Sequence, residues 1–183
     1  MTYDAEEKYQ SMLRAHAKLV AIATDVGKTC VIGDPAAKDA TNAFFMECYH
    51  LKDWLKKDPR IKPVDVEAFI TGSKFLSLAA DLCNSLKHAG LDRPPRSGEQ
   101  LDKINMAYTI DIPEQAQIKF DRSPSVGDTI AILRTRAYGR AVATAKVVLT
   151  IGGSKHDAPD LASSCVKEWD AFLASRAIQF AKA

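Results

Sequence analysis

A chain of 183 residues with 46% hydrophobic and 26% charged residues can bury one ordinary core without metal or disulfide staples, a balance that excludes a disordered polypeptide. The net charge of +2 does not imply a general polyanion binder, and no run approaches the roughly 18 consecutive apolar residues of a membrane span. The opening "MTYDAEEKYQ" is polar and acidic, unlike a signal peptide, so a cytoplasmic location is expected, with Cys30, Cys48, Cys83 and Cys165 reduced and buried.

The first helix is expected from Asp4, a cap followed three residues later by Glu7, with Tyr9, Met12, Leu13, His16, Leu19, Val20 and Ala23 at helical spacing and Gly27 marking its end. The connector that follows contains "GKT". A phosphate loop would need another glycine five positions before Gly27, where Ile22 stands, so nucleotide binding of that kind is excluded.

A second helix is expected from an Asp34 cap and Pro35 through "AAKDATNAFFMECYHLKDWLKK" to Asp58-Pro59, with Phe44, Cys48, Leu51 and Leu55 as its apolar seam. His50 and Asp53 lie off that seam. The third helix is expected from about Val64 to Ala89, bent near Gly72-Ser73 and closed by Gly90. Its core stripe is Phe75, Leu78, Ala79, Leu82 and Leu86, and Ser77, Asp81, Asn84 and His88 form a polar stripe on another face.

After the turn-rich "GLDRPPRSGEQ" the period changes. Ile104, Met106, Tyr108, Ile110 and Ile112 alternate as in a strand, and "AQIKF", "TIAILR" and "AVATAKVVLTI" extend the pattern with turn signals between them. The chain returns to helix after "SKHDAPD", where Asp157 reads as a cap and His156 as loop surface. The resulting fold class is α+β in a single domain over 1–183: an N-terminal antiparallel bundle of three helices (1–92), an antiparallel sheet of about three to five strands (103–152) and a C-terminal helix (157–182).

Chemistry concentrates in two segments. A short connector makes the second and third helices antiparallel neighbours, which brings "YHLKDW" toward "DLCNSLKH" and gathers His50, Asp53, Asp81, Asn84 and His88 as candidate catalytic residues along one polar groove. A histidine of near-neutral pKa can take a proton from a nucleophile and return one to a leaving group while a carboxylate or amide fixes its tautomer. That is the chemistry of metal-independent RNA cleavage, which also needs a cation for the transition state. Lys87, Arg93 and Arg96 are the nearest candidates for contact with nucleic acid. The bland account is a polar network that interlocks helices.

No His-x-x-x-His spacing supports a metal site, and no cofactor is expected. The basic clusters Lys56, Lys57, Arg60, Lys62 and Arg134, Arg136, Arg140 read first as solvated surface and second as phosphate contacts.

The helical layout and the segment from Cys83 to His88 resemble the HEPN superfamily, helical proteins of toxin–antitoxin, phage-defence and RNA-processing systems. That family's signature is an arginine, then a polar residue, then a histidine five positions after the arginine. "CNSLKH" supplies Asn84 and His88 but has Cys83 where the arginine belongs. "CYHLKDW" followed by "DLCNSLKH" also looks like a group of uncharacterised bacterial proteins.

The resemblance implies a homodimer acting on RNA, with His88 as acid or base and Asn84 orienting it; His50 and Asp53 would support the pair. The departure at Cys83 points instead to a non-catalytic relative that binds a protein partner or a second copy through its polar stripe. A pocket for a small ligand between helices and sheet is a further alternative.

Overall fold

The computed structural model describes residues 4–29, 35–88, 94–99, 105–111, 144–151 and 153–180. It is mostly helical with a small antiparallel sheet, an α+β arrangement. Helix α1 spans Ala5–Thr29, and Asp4 caps it by accepting the N–H groups of Glu6 at 2.9 Å and Glu7 at 3.3 Å. Tyr9, Met12 and Leu19 bury its inner face. Gly27 does not end the helix as expected. A single interior glycine costs only about 1 kcal/mol, which a helix of 25 residues absorbs.

Helix α2 spans Pro35–Leu55, and its expected seam, Phe44, Cys48, Leu51 and Leu55, is fully buried. Burial of each large apolar side chain contributes about 1.5–3 kcal/mol. The chain leaves α2 through turns in which Asp58 accepts the Arg60 N–H at 2.9 Å.

The third expected helix is two. Helix α3, Pro63–Gly72, starts on a proline, and helix α4 spans Lys74–His88. Between them Ser73 takes an extended conformation (φ −94°, ψ 121°), and its Oγ accepts the Leu76 N–H at 3.1 Å. Ser73 therefore begins a new helix as its N-cap instead of bending an old one. The Ser77 hydroxyl then donates to the Ile70 carbonyl at 2.8 Å, stitching the junction.

Strand β1, Asn105–Asp111, pairs antiparallel with β2, Thr144–Ile151, with Tyr108 opposite Val147. Strand β3, Ser154–Asp157, pairs antiparallel with β2, Ile151 opposite Ser154. The tight reversal places Gly153 at φ 78°, a left-handed conformation open to glycine at little cost. Val147, Leu149 and Ile151 are fully buried while Val148 and Thr150 are half-buried, so β2 alternates with period two. This strand lies against α1 and the last helix. "AQIKF" and "TIAILR", both expected as strands, fall outside the described residues.

Helix α5 spans Ala158–Ala174. Asp157 caps it as expected, accepting the Asp160 N–H at 3.1 Å. It stops short of the expected 182 because the Ile178 N–H returns to the Leu173 carbonyl at 3.0 Å and the Ala177 N–H to the Ala174 carbonyl at 3.0 Å, a Schellman closure with Ala177 at φ 52°. Trp169 and Phe172 stack edge-on at 5.7 Å in the core. The Trp169 indole donates to the Cys48 carbonyl at 3.2 Å, tying α5 to α2. No helix among the described residues is long and apolar enough to cross a membrane.

Candidate functional site

The polar stripe of α4 is not a solvent-lined groove along its first half. From Leu76 to Cys83 every residue is buried, Ser77 and Asp81 included, each at 2% exposure. A buried carboxylate needs partners, and Asp81 has two among the described residues. Its Oδ1 accepts the Arg96 N–H at 2.8 Å and its Oδ2 accepts the Ser97 N–H at 2.7 Å.

Those donors sit in a tight turn closed by the Gly98 N–H on the Pro95 carbonyl at 3.2 Å, with Gly98 at φ 76°. Hydrogen bonds to a charged acceptor contribute about 1.5–3 kcal/mol each. Asp81 is thus an anchor for the 94–99 segment.

Cys83, at the position of the resembled family's arginine, is fully buried. Asn84 and Ser85 are half-buried where α4 emerges from the core. The α4 backbone continues through His88, but the side chains of Lys87 and His88, like the whole of Arg93, lie outside the described residues.

Arg96, anchored by its backbone to Asp81, sends its guanidinium to Glu67 of α3 at 2.9 Å. Glu67 also holds the ammonium of Lys56 through the same oxygen that Lys52 approaches at 3.7 Å. Burial raises the Glu67 pKa, but hydrogen bonds from Lys56 and Arg96 and the charges of Lys52 and Lys56 outweigh it and pull the carboxyl down to about 2. Lys52 stays protonated against its burial because Tyr49, Asp53 and Glu67 favour its charge, and its ammonium lies 4.2 Å from the Tyr49 ring centre. Asp53 is exposed, 3.8 Å from Lys52.

His50 belongs to a different neighbourhood. It is half-buried, and its charge acts on Glu47, which Lys8 of α1 binds at 2.8 Å. The described contacts therefore carry Glu47, one turn from His50, toward α1, Asp53 toward Lys52, and Asp81 toward the 94–99 turn.

Three further polar centres had no local signature. Glu67 is one isolated acid in a short helix. The Tyr9 hydroxyl donates to Asp170 across 161 residues, and burial, followed by that carboxylate, pushes the phenol well above its usual range. The pair borders a cleft of about 420 Å³ closed by Leu173, Ile178 and Phe180.

His16 Nε2 lies 2.9 Å from Ser163 Oγ, whose proton goes to the Pro159 carbonyl at 2.8 Å. The serine must then accept, so the imidazole carries its proton on Nε2. His156, expected on a loop surface, sits on β3 opposite Leu149, half-buried. Only helical periodicity toward the core hinted at Tyr9 and His16. No group of three or more His, Cys, Asp or Glu side chains placed to hold a metal occurs among the described residues.

No family model, curated protein or solved structure matches the chain.

Proposed function

We propose that the chain is a HEPN-like module that binds without cleaving, acting in RNA metabolism or in defence against phage or stress through a second copy or another protein. The observation that carries this reading is the burial of Cys83. At the signature position a catalytic arginine would need to face a cleft, and here that position faces the core.

Two arrangements add support. Both oxygens of Asp81 are taken by backbone N–H groups, so it is not placed to act on a substrate proton. Arg96, one of the three cations expected at the site, is turned to Glu67. The α4 stripe then acts as a structural clip at its core end, with the half-buried Asn84 beyond it as the contact to a partner.

The test is cleavage of single-stranded RNA in the presence of a metal chelator, wild type against His88→Ala. No cleavage above the buffer blank by either protein is expected. Cleavage by wild type that His88→Ala abolishes would replace this reading with a metal-independent ribonuclease.

A further inference from the structure

Three cations from two separate segments converge on one carboxylate. Lys52 and Lys56, one turn apart at the end of α2, share Oε1 of Glu67, and Arg96, delivered by the Asp81-anchored turn, takes Oε2. Among the described residues, Asp53 is the other acid paired with these side chains, 3.8 Å from Lys52 and itself exposed, while Asp81 holds the backbone of Arg96. In these side-chain pairs three cations face two carboxylates. The three cations and Glu67 all reach solvent, from 15% exposure for Lys52 to 36% for Glu67.

The geometry points to a phosphate-binding site formed by Lys52, Lys56 and Arg96, in which Glu67 is an internal stand-in for the ligand. A carboxylate has two oxygens for three donors, whereas a phosphate offers more acceptor oxygens and more charge. It suits two point-charge ammonium groups and one planar guanidinium approaching from different directions. A phosphate-bearing ligand binds by drawing the cations off Glu67, so the glutamate tunes affinity downward and discriminates against weakly charged anions. This site is separate from the emerging end of α4, and its failure leaves the reading of that helix untouched.

The test is fluorescence anisotropy of a short labelled single-stranded RNA on the full chain, with inorganic phosphate and pyrophosphate as competitors and polyglutamate as a carboxylate control. Lys52→Gln/Lys56→Gln is expected to weaken RNA binding by about tenfold or more between roughly 50 and 200 mM salt, and to flatten the log–log salt slope by about 1.4, the loss of two phosphate contacts. Glu67→Gln should tighten binding several-fold, and the exposed Lys18→Gln should change nothing. Competition by millimolar phosphate or pyrophosphate assigns the site to a small phosphate ligand, and its absence alongside RNA binding assigns it to a nucleic-acid backbone.

A second readout needs no substitution: the bound RNA or pyrophosphate should slow acetylation of Lys52 and Lys56 but not of Lys18. The proposal is overturned by a double variant that binds like Lys18→Gln, by Glu67→Gln binding no tighter than wild type, by equal binding of polyglutamate, or by unchanged acetylation.

Discussion

Asp81, on the buried face of α4, accepts the backbone N–H of Arg96 at 2.8 Å, fifteen residues further along the chain. With the matching bond from Ser97 at 2.7 Å, one carboxylate fixes where a proline-rich turn returns to the helices and where the Arg96 guanidinium can reach. The charge of Asp81 acts on the backbone. Its consequence is a cation delivered to Glu67.

Removing that acceptor should be costly. Asp81→Ala leaves two N–H groups without a charged partner and is expected to destabilise the fold by about 2–4 kcal/mol. Asn84→Ala, at a half-buried position, should cost under about 1 kcal/mol. Urea denaturation midpoints for the two variants check the contrast.

The ion-pair group around Glu67 should survive mild acid. Because its folded pKa, about 2, lies below the ordinary 4.5, its contribution is complete above 4.5, declines as pH falls, and is gone only below the folded value. A carboxyl-carbon NMR titration should show Glu67 still ionised at pH 4. Salt should weaken the contribution, since the side chain is more than a third exposed.

His16 titrates in a higher window with the same sign. Burial lowers its folded pKa below 6.5, so its neutral form is compatible with the fold above 6.5 and stability is lost as pH falls from there through the folded value. His16→Gln, which can still donate to Ser163, should lose less thermal stability than wild type between about pH 7.5 and 5. Equal losses would show that His16 does not carry this dependence.

Ala177 closes α5 at φ 52°, where a side chain is strained and glycine is not. Ala177→Gly is expected to stabilise by roughly 0.5 kcal/mol, the relief of the left-handed conformation less the extra chain entropy of glycine. Thermal melting of the variant measures it.

The cores of the helices also predict thiol behaviour. Cys48, Cys83 and Cys165 are fully buried, and burial pushes the Cys165 thiol well up. None of the three should react with a disulfide reagent in the native protein, and all three should react in denaturant. Peptide mass spectrometry locates the modified residues.

Much of this fold is written in short-range pattern. The Phe44, Cys48, Leu51 and Leu55 seam, the Asp4 and Asp157 caps and the alternation of Val147, Leu149 and Ile151 all follow from spacing within a few residues. The split at Ser73 was visible only as a bend, because a serine after glycine serves equally as a weak interior residue or as a cap.

Long-range polar partners were not legible. Asp81 at helical spacing from Ser77 and Asn84 reads as part of a catalytic stripe until the 94–99 turn is seen to close on it. Glu67, Tyr9 with Asp170, and His16 with Ser163 depend on residues 11 to 161 positions away, a distance over which periodicity carries no information.

The central claim, that Asp81 holds the 94–99 turn in place, is tested most directly by native-state amide hydrogen exchange at Arg96 and Ser97. Both amides should be protected in wild type and in Asn84→Ala and should lose that protection in folded Asp81→Ala. Fast exchange of both amides in wild type, or protection that persists in Asp81→Ala, would contradict it.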